Sequence, residues 1–163
     1  MMGLAIALVS NLAVVAVAQE DDLLAPAAVL GWALDETLLA EGESGEQDGM
    51  FVRDSVSYTY RFEATDPRLS GDAIWTGSGH RFPTNPMFEV QSATWQITNG
   101  NGSWSGTSTA LVGNGLGDTD TIVLTGSGDY EGLTAYLVTT WTRAGASFRG
   151  AIFPGGMPPM PGT

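Results

Sequence analysis

The chain has 163 residues, no cysteine and a formal charge of −12, from 18 acids against 6 bases. That excludes a disulfide framework and a thiolate metal site, and with no basic patch to offset the charge it excludes nucleic acid as a partner. Only 15% of the residues are charged while glycine numbers 22, a balance that points to strands and turns rather than surface helices, in one domain with appendages.

The first predicted element is an export signal over residues 1–18. Leu4 to Ala18 is almost unbroken apolar sequence and ends in Ala16-Val17-Ala18 before Gln19, which is a small-residue cleavage pattern. The run is shorter than the roughly 20 residues a spanning helix needs. No Lys or Arg precedes it, a departure from the usual positive start, so an uncleaved membrane-anchor segment is the alternative. Either way the expected location is secreted or extracytoplasmic, with membrane contact only through this segment.

Residues 19–49 read as an acidic flexible arm. Residues 20–48 carry nine of the acids and none of the bases. Leu30, Leu34 and Leu38 recur at every fourth position behind Pro26, the spacing of one face of a short helix. Glu41 to Gly49 has the composition of a linker.

A β domain is expected over 50–163. Val52, Val56, Tyr58, Tyr60 and Phe62 alternate with polar residues, as in a strand with one buried face. On that parity Arg53, Arg61 and Glu63 point outward. Asp66-Pro67-Arg68-Leu69-Ser70-Gly71 is a turn. A strand over 72–78 follows, then a loop from Gly79 to Pro86 that holds His80, the one histidine. Met87 to Thr98 is a strand whose apolar phase slips, from Phe88 and Val90 to Ala93, Trp95 and Ile97; a bulge near Gln91-Ser92 would produce that slip. Asn99-Gly100-Asn101-Gly102 is a hairpin signal. Strands are then expected over 103–112, 119–125, 133–142 and 146–153, and the Pro-rich tail from Pro154 belongs to no element. Seven or eight antiparallel strands with evenly spaced turns predict an all-β single barrel, whose interior either is filled or holds one small ligand.

The stretch Gly126-Ser127-Gly128-Asp129-Tyr130-Glu131-Gly132 stands out as a sheet corner, with Tyr130 placed to cover bare glycine backbone. Gly126, Gly128, Tyr130 and Gly132 are its structural motif. It resembles the G-S-G-x-F-x-G stretch of dirigent proteins and allene oxide cyclases. Asp66 to Gly71 and Gly150 to Pro159 look like signatures of uncharacterised secreted bacterial proteins associated with the same barrel. The resemblance covers about residues 50–160 and implies an eight-stranded antiparallel barrel with a central cavity that steers a reactive substrate. Tyr130 stands where those families have Phe, and no residue matches their acidic pocket groups, so no catalytic residue is carried over.

Tyr58, Tyr60, Phe62, Trp75, Trp95, Trp104, Tyr136 and Trp141 are the pocket candidates: they fill the core, as aromatics usually do, or line a cavity for an apolar ligand. His80 has no identifiable catalytic partner and reads as a surface residue. Asp118-Thr119-Asp120 lacks a calcium-loop pattern and reads as a solvated turn. Asp66, Arg68 and Asp72 suit turn and ion-pair roles. No metal and no cofactor is expected. The resulting expectation is a secreted small barrel that binds an apolar small molecule or serves as a scaffold. The alternatives are a cyclase or stereo-directing enzyme, which needs an acid or Arg pointing inward beside the aromatics, and a structural module with a filled core.

Overall fold

A computed structural model describes residues 25–82, 88–113, 118–142 and 145–158; the expected export signal lies outside them. The strands are β1 (Ala27–Ala40), β2 (Glu43–Gln47), β3 (Met50–Ala64), β4 (Gly71–Arg81), β5 (Phe88–Thr98), β6 (Gly102–Gly113), β7 (Asp118–Gly128), β8 (Leu133–Thr142) and β9 (Gly145–Pro154). All neighbours pair antiparallel. The sheet order is β1-β9-β8-β7-β6-β5-β4-β3-β2, and β1 also pairs with β3. That last pairing closes a ring of eight strands and leaves β2 outside it. The expected antiparallel barrel is therefore the observed fold.

The arm is the main correction. Residues 27–40 are strand, not helix or flexible chain, and the barrel begins before residue 50. β1 and β2 follow one another along the same edge of β3, Ala40 facing Ser57 and Glu43 facing Asp54. A two-residue turn, Asp48-Gly49, then joins β2 to β3, with Gln47 opposite Met50. Both turn residues have positive φ, 51° and 76°, as a type I′ hairpin requires. The helical spacing of Leu30, Leu34 and Leu38 arises because β1 is apolar on both faces: Val29 and Ala33 are buried while Leu30 and Trp32 are exposed.

Three bulges bend the neighbouring strands β1 and β3; one of them is at Leu39, since Leu38 pairs with Tyr58 and Ala40 with Ser57. Leu34 pairs with Arg61 and Thr37 with Thr59, so β1 carries a second extra residue, at Asp35 (φ 54°). Arg53 pairs with Gly79 and Val56 with Gly77, so β3 carries one extra residue, at Ser55 (φ 56°). An extra residue reverses side-chain parity on one side of itself. The expected bulge at Gln91-Ser92 is absent: β5 pairs without a shift against both β4 and β6. β4 also runs on to Arg81, so His80 is an exposed strand residue and not a loop residue.

The two ends of the barrel differ. One end is sealed. A 3₁₀ turn, Pro67–Leu69, is capped by Asp66 and inserts Leu69, which is fully buried. The Arg68 carbonyl accepts the Trp104 indole N–H at 2.8 Å and the Asn99 amide at 3.2 Å, and Asn99 Oδ1 accepts the Tyr130 hydroxyl at 2.8 Å. Tyr130 stacks on Trp104 at 5.3 Å and lies so close over Gly102 that a Cβ there would come within 2.9 Å of its ring. The sheet corner thus uses its tyrosine as expected. Asp66 and Arg68 form a buried ion pair at 2.6 Å, and its proximity holds the Asp66 carboxyl below its usual range. Asp72 is exposed on β4.

Candidate functional site

Above the plug the interior is an aromatic column. Phe148 stacks on Phe62 at 4.9 Å, Phe62 meets Trp95 at 5.4 Å, Trp95 meets Tyr60 at 5.7 Å, and Tyr60 meets the edge of Trp141 at 5.3 Å. Tyr58 packs beside Tyr60 at 6.3 Å and against Trp75 at 5.8 Å. The column stops short of the other end, which is open. There the barrel holds a cup of about 230 Å³, below the range of roughly 300–1,000 Å³ for drug-sized ligands. The barrel is filled in one half and hollow in the other.

Of the predicted pocket residues, Tyr58, Tyr60, Trp75 and Trp141 line the cup. Phe62 and Trp95 lie beneath it in the packed core. Trp104 belongs to the sealed end. Tyr136 alternates with the buried Ala135 and Leu137 and has the outward parity. Space for the aromatic wall comes from β4 itself: a Cβ on Gly77, two residues along the strand from Trp75, would sit 2.4 Å from the Trp75 ring.

The polar lining was not anticipated from the sequence. On β5 the inward parity of Ala93, Trp95 and Ile97 continues to Gln91 and Glu89, leaving Val90 outside. What looks like a phase slip is a change of lining, from apolar in the core to polar at the mouth. Glu89 is buried, accepts from Arg81 at 3.1 Å and from Gln91 at 2.9 Å, and sits beside Gly79, where a Cβ would meet its carboxylate. The bulges at Asp35 and Ser55 bring in Glu36 and Arg53, both of which line the cup. Arg53 is therefore inward, contrary to the plain alternation. Arg61 and Glu63 do face outward, paired at 3.4 Å in solvent.

Asp120 is the central group. It sits on β7 opposite Ala110 and Thr139, lines the cup and is only 2% exposed. Burial pushes its carboxyl up to about 6, against the opposing effect of hydrogen bonds from the Ser108 hydroxyl and the Thr121 backbone. Ser108 Oγ itself accepts the Trp95 indole N–H at 3.0 Å. The second carboxylate oxygen, Oδ1, has no hydrogen-bond partner, and neither has the buried Thr139 Oγ1. Such orphaned acceptors are rare inside proteins and each calls for a reason. Burial also raises the Tyr60 hydroxyl, helped by the charge of Glu36, so Tyr60 is a neutral donor at every physiological pH.

Asp118 shares the inward parity of Asp120, and its Oδ1 accepts the Gly113 N–H at 3.0 Å. The carboxylates of this region do not gather: among the described residues no three of His, Cys, Asp or Glu are grouped to hold a metal ion. The site offers an apolar aromatic wall, a neutral phenol, two buried carboxyls, of which Glu89 is paired with Arg81, and a charged rim. Chemically, such a set has the means to hold a small molecule and to keep one exchangeable proton beside it. Searches against known protein families, curated proteins and solved structures find no match to this chain.

Proposed function

We propose that this chain is a small-molecule-binding barrel, exported by its N-terminal segment, whose ligand enters the open end and rests its apolar part on Tyr58, Tyr60, Trp75 and Trp141. One observation carries the reading: the aromatic column stops short and leaves a cup of about 230 Å³ in a barrel otherwise filled with side chains. A scaffold with no ligand gains nothing from that hollow, since unfilled volume costs stability. The test is native mass spectrometry of protein purified from a secreting host, with tryptophan fluorescence titrations alongside. A stoichiometric small molecule, or saturable quenching by single-ring compounds, is expected; flat titrations and an empty protein would overturn the reading.

A second reading is favoured by Asp120. A cyclase or coupling-directing enzyme of the dirigent or allene oxide cyclase kind needs an acid facing the reactive substrate. The inward carboxyl, half protonated near pH 6, supplies one in the range where general acids work well. In this reading the cup holds the substrate in one shape and Asp120 delivers or removes a proton. Single-turnover assays with Asp120→Asn distinguish it from simple binding, because only the enzyme loses product formation while keeping its ligand.

A further inference from the structure

The cup pairs an aromatic wall with a surplus of negative charge. Glu36, Glu89, Asp118 and Asp120 line it, against Arg53 alone. Glu89 is already engaged by Arg81. Asp120 is not fully engaged: the residue lines the cup, and its buried Oδ1 accepts from nothing. Thr139, its cross-strand partner on β8, leaves a second buried oxygen unpartnered. Thr139 does not line the cup and its hydroxyl carries its own proton, so the Asp120 carboxylate is the acceptor that asks for a ligand bringing N–H groups.

From this pairing of an aromatic wall with an acidic lining we propose that the ligand of the cup is a small primary or secondary organic amine, bound as its ammonium ion, with its N–H groups on the Asp120 carboxylate and its apolar body against Tyr60 and Trp141. The proposal rests on the cup being a binding site and goes further by naming the class of ligand. A carboxylate ligand would meet repulsion from the acidic surplus. A quaternary ammonium ion would suit the aromatic faces but bring no donor to Oδ1. The volume of about 230 Å³ admits a single-ring amine and excludes a polycyclic one. Arg53, brought into the lining by its bulge, forms no ion pair with Asp120 and leaves the acidic residues of the cup in surplus.

The test uses three probes of one shape, 2-phenylethylamine, 2-phenylethanol and phenylacetate, titrated by calorimetry at pH 8 into the wild type, Asp120→Asn and Thr139→Val. The amine is expected to bind about tenfold or more tighter than the alcohol, as a hydrogen bond to a charged group implies, and phenylacetate weakest. Asp120→Asn is expected to bring the amine down to the affinity of the alcohol while the alcohol changes by less than about twofold. Thr139→Val, which keeps the carboxylate and changes a residue outside the lining, is expected to alter the amine's affinity by less than about twofold and to preserve its preference. If alcohol and amine bind equally, or Asp120→Asn keeps the preference, the amine proposal falls and the binding cup stands. If phenylacetate is preferred, Arg53 selects and the proposal likewise falls. If none of the three binds, the cup is not a site for single-ring ligands and both readings fall together.

Discussion

Trp95 donates its indole N–H to Ser108 Oγ at 3.0 Å, and that bond fixes the direction of the serine's own proton. With one lone pair taken by Trp95, the Ser108 hydroxyl is free to donate to Asp120, and it does. Core and cup are joined at this serine. Replacing Ser108 with Ala removes a donor from the carboxylate and leaves a buried indole N–H without a partner, which costs about 1–3 kcal/mol. Urea unfolding is expected to show that loss. A carbon-detected titration of Asp120 should show its carboxyl moving further upward from about 6.

The pH dependence of stability follows from the same carboxyl. Burial lifts the Asp120 carboxyl in the folded chain to about 6, from 3.8 for an ordinary aspartate. Between those values the folded state holds a proton that the unfolded chain has lost. Stability therefore rises as pH falls from about 6 toward 4, on the order of 3 kcal/mol, and is flat above 6. Asp66 has the opposite sign: its carboxyl is held low by Arg68, so its contribution is present above the unfolded value and lost as pH drops below it. The free protein is expected to be most stable near pH 4. Asp120→Asn should erase the step between 4 and 6 and raise stability at pH 8 by about 1–3 kcal/mol. Urea midpoints measured across pH for the two proteins check this; identical profiles would refute the assignment.

Trp104 serves a different end of the barrel. It is fully buried, stacked on Tyr130 and bonded to the Arg68 carbonyl. Trp104→Ala is expected to cost about 3–5 kcal/mol and to leave the affinity of any cup ligand unchanged in the fraction that folds. Denaturant unfolding and ligand titration on the same sample separate the two effects.

Gly77 makes room for the aromatic wall. A Cβ there would approach the Trp75 ring to 2.4 Å and Ala93 Cβ to 2.8 Å, so Gly77→Ala must displace the indole. The expected results are a shifted tryptophan emission spectrum, weaker binding of single-ring ligands and a loss of about 1–3 kcal/mol from overpacking. An unchanged spectrum and unchanged binding would place Trp75 outside the wall.

Strands β3 to β9 were legible because polar and apolar residues alternate along them, and the hairpin at Asn99 to Gly102 and the corner at Gly126 to Gly132 announced themselves through turn chemistry. β1 was not legible. Both of its faces are apolar, so the period-two signal is missing, and its leucines mimic a helical stripe. The Asp48-Gly49 hairpin signal was present but stood within acidic, linker-like composition. The site was half legible: aromatics on inward parity identified Tyr58, Tyr60, Trp75 and Trp141. Its polar half was hidden by two kinds of exception. Bulges at Asp35 and Ser55 reverse the parity that places Glu36 and Arg53. At Glu89, Gln91 and Asp120 the strand keeps its parity, but the inward residues are polar, against the usual reading of an inner face. Asp120 had one sequence sign, a carboxylate at the same parity as Ile122 and Leu124, and that pattern is the one to look for.

The short strand β2 gives the chain's uneven charge a physical purpose. A closed ring has no free edge, but β2 pairs only with β3 among the described strands, and all five of its residues are exposed. Its other side is a row of unpaired backbone groups, the kind of edge onto which a second chain can polymerise. Glu43 and Glu46 lie on it, with Glu41 and Asp48 at its ends. Two such edges brought together oppose like charges along their whole length. Glu43→Gln together with Glu46→Gln removes that repulsion, so the charge that gives the arm its linker-like composition is also what keeps one barrel from zipping onto the next.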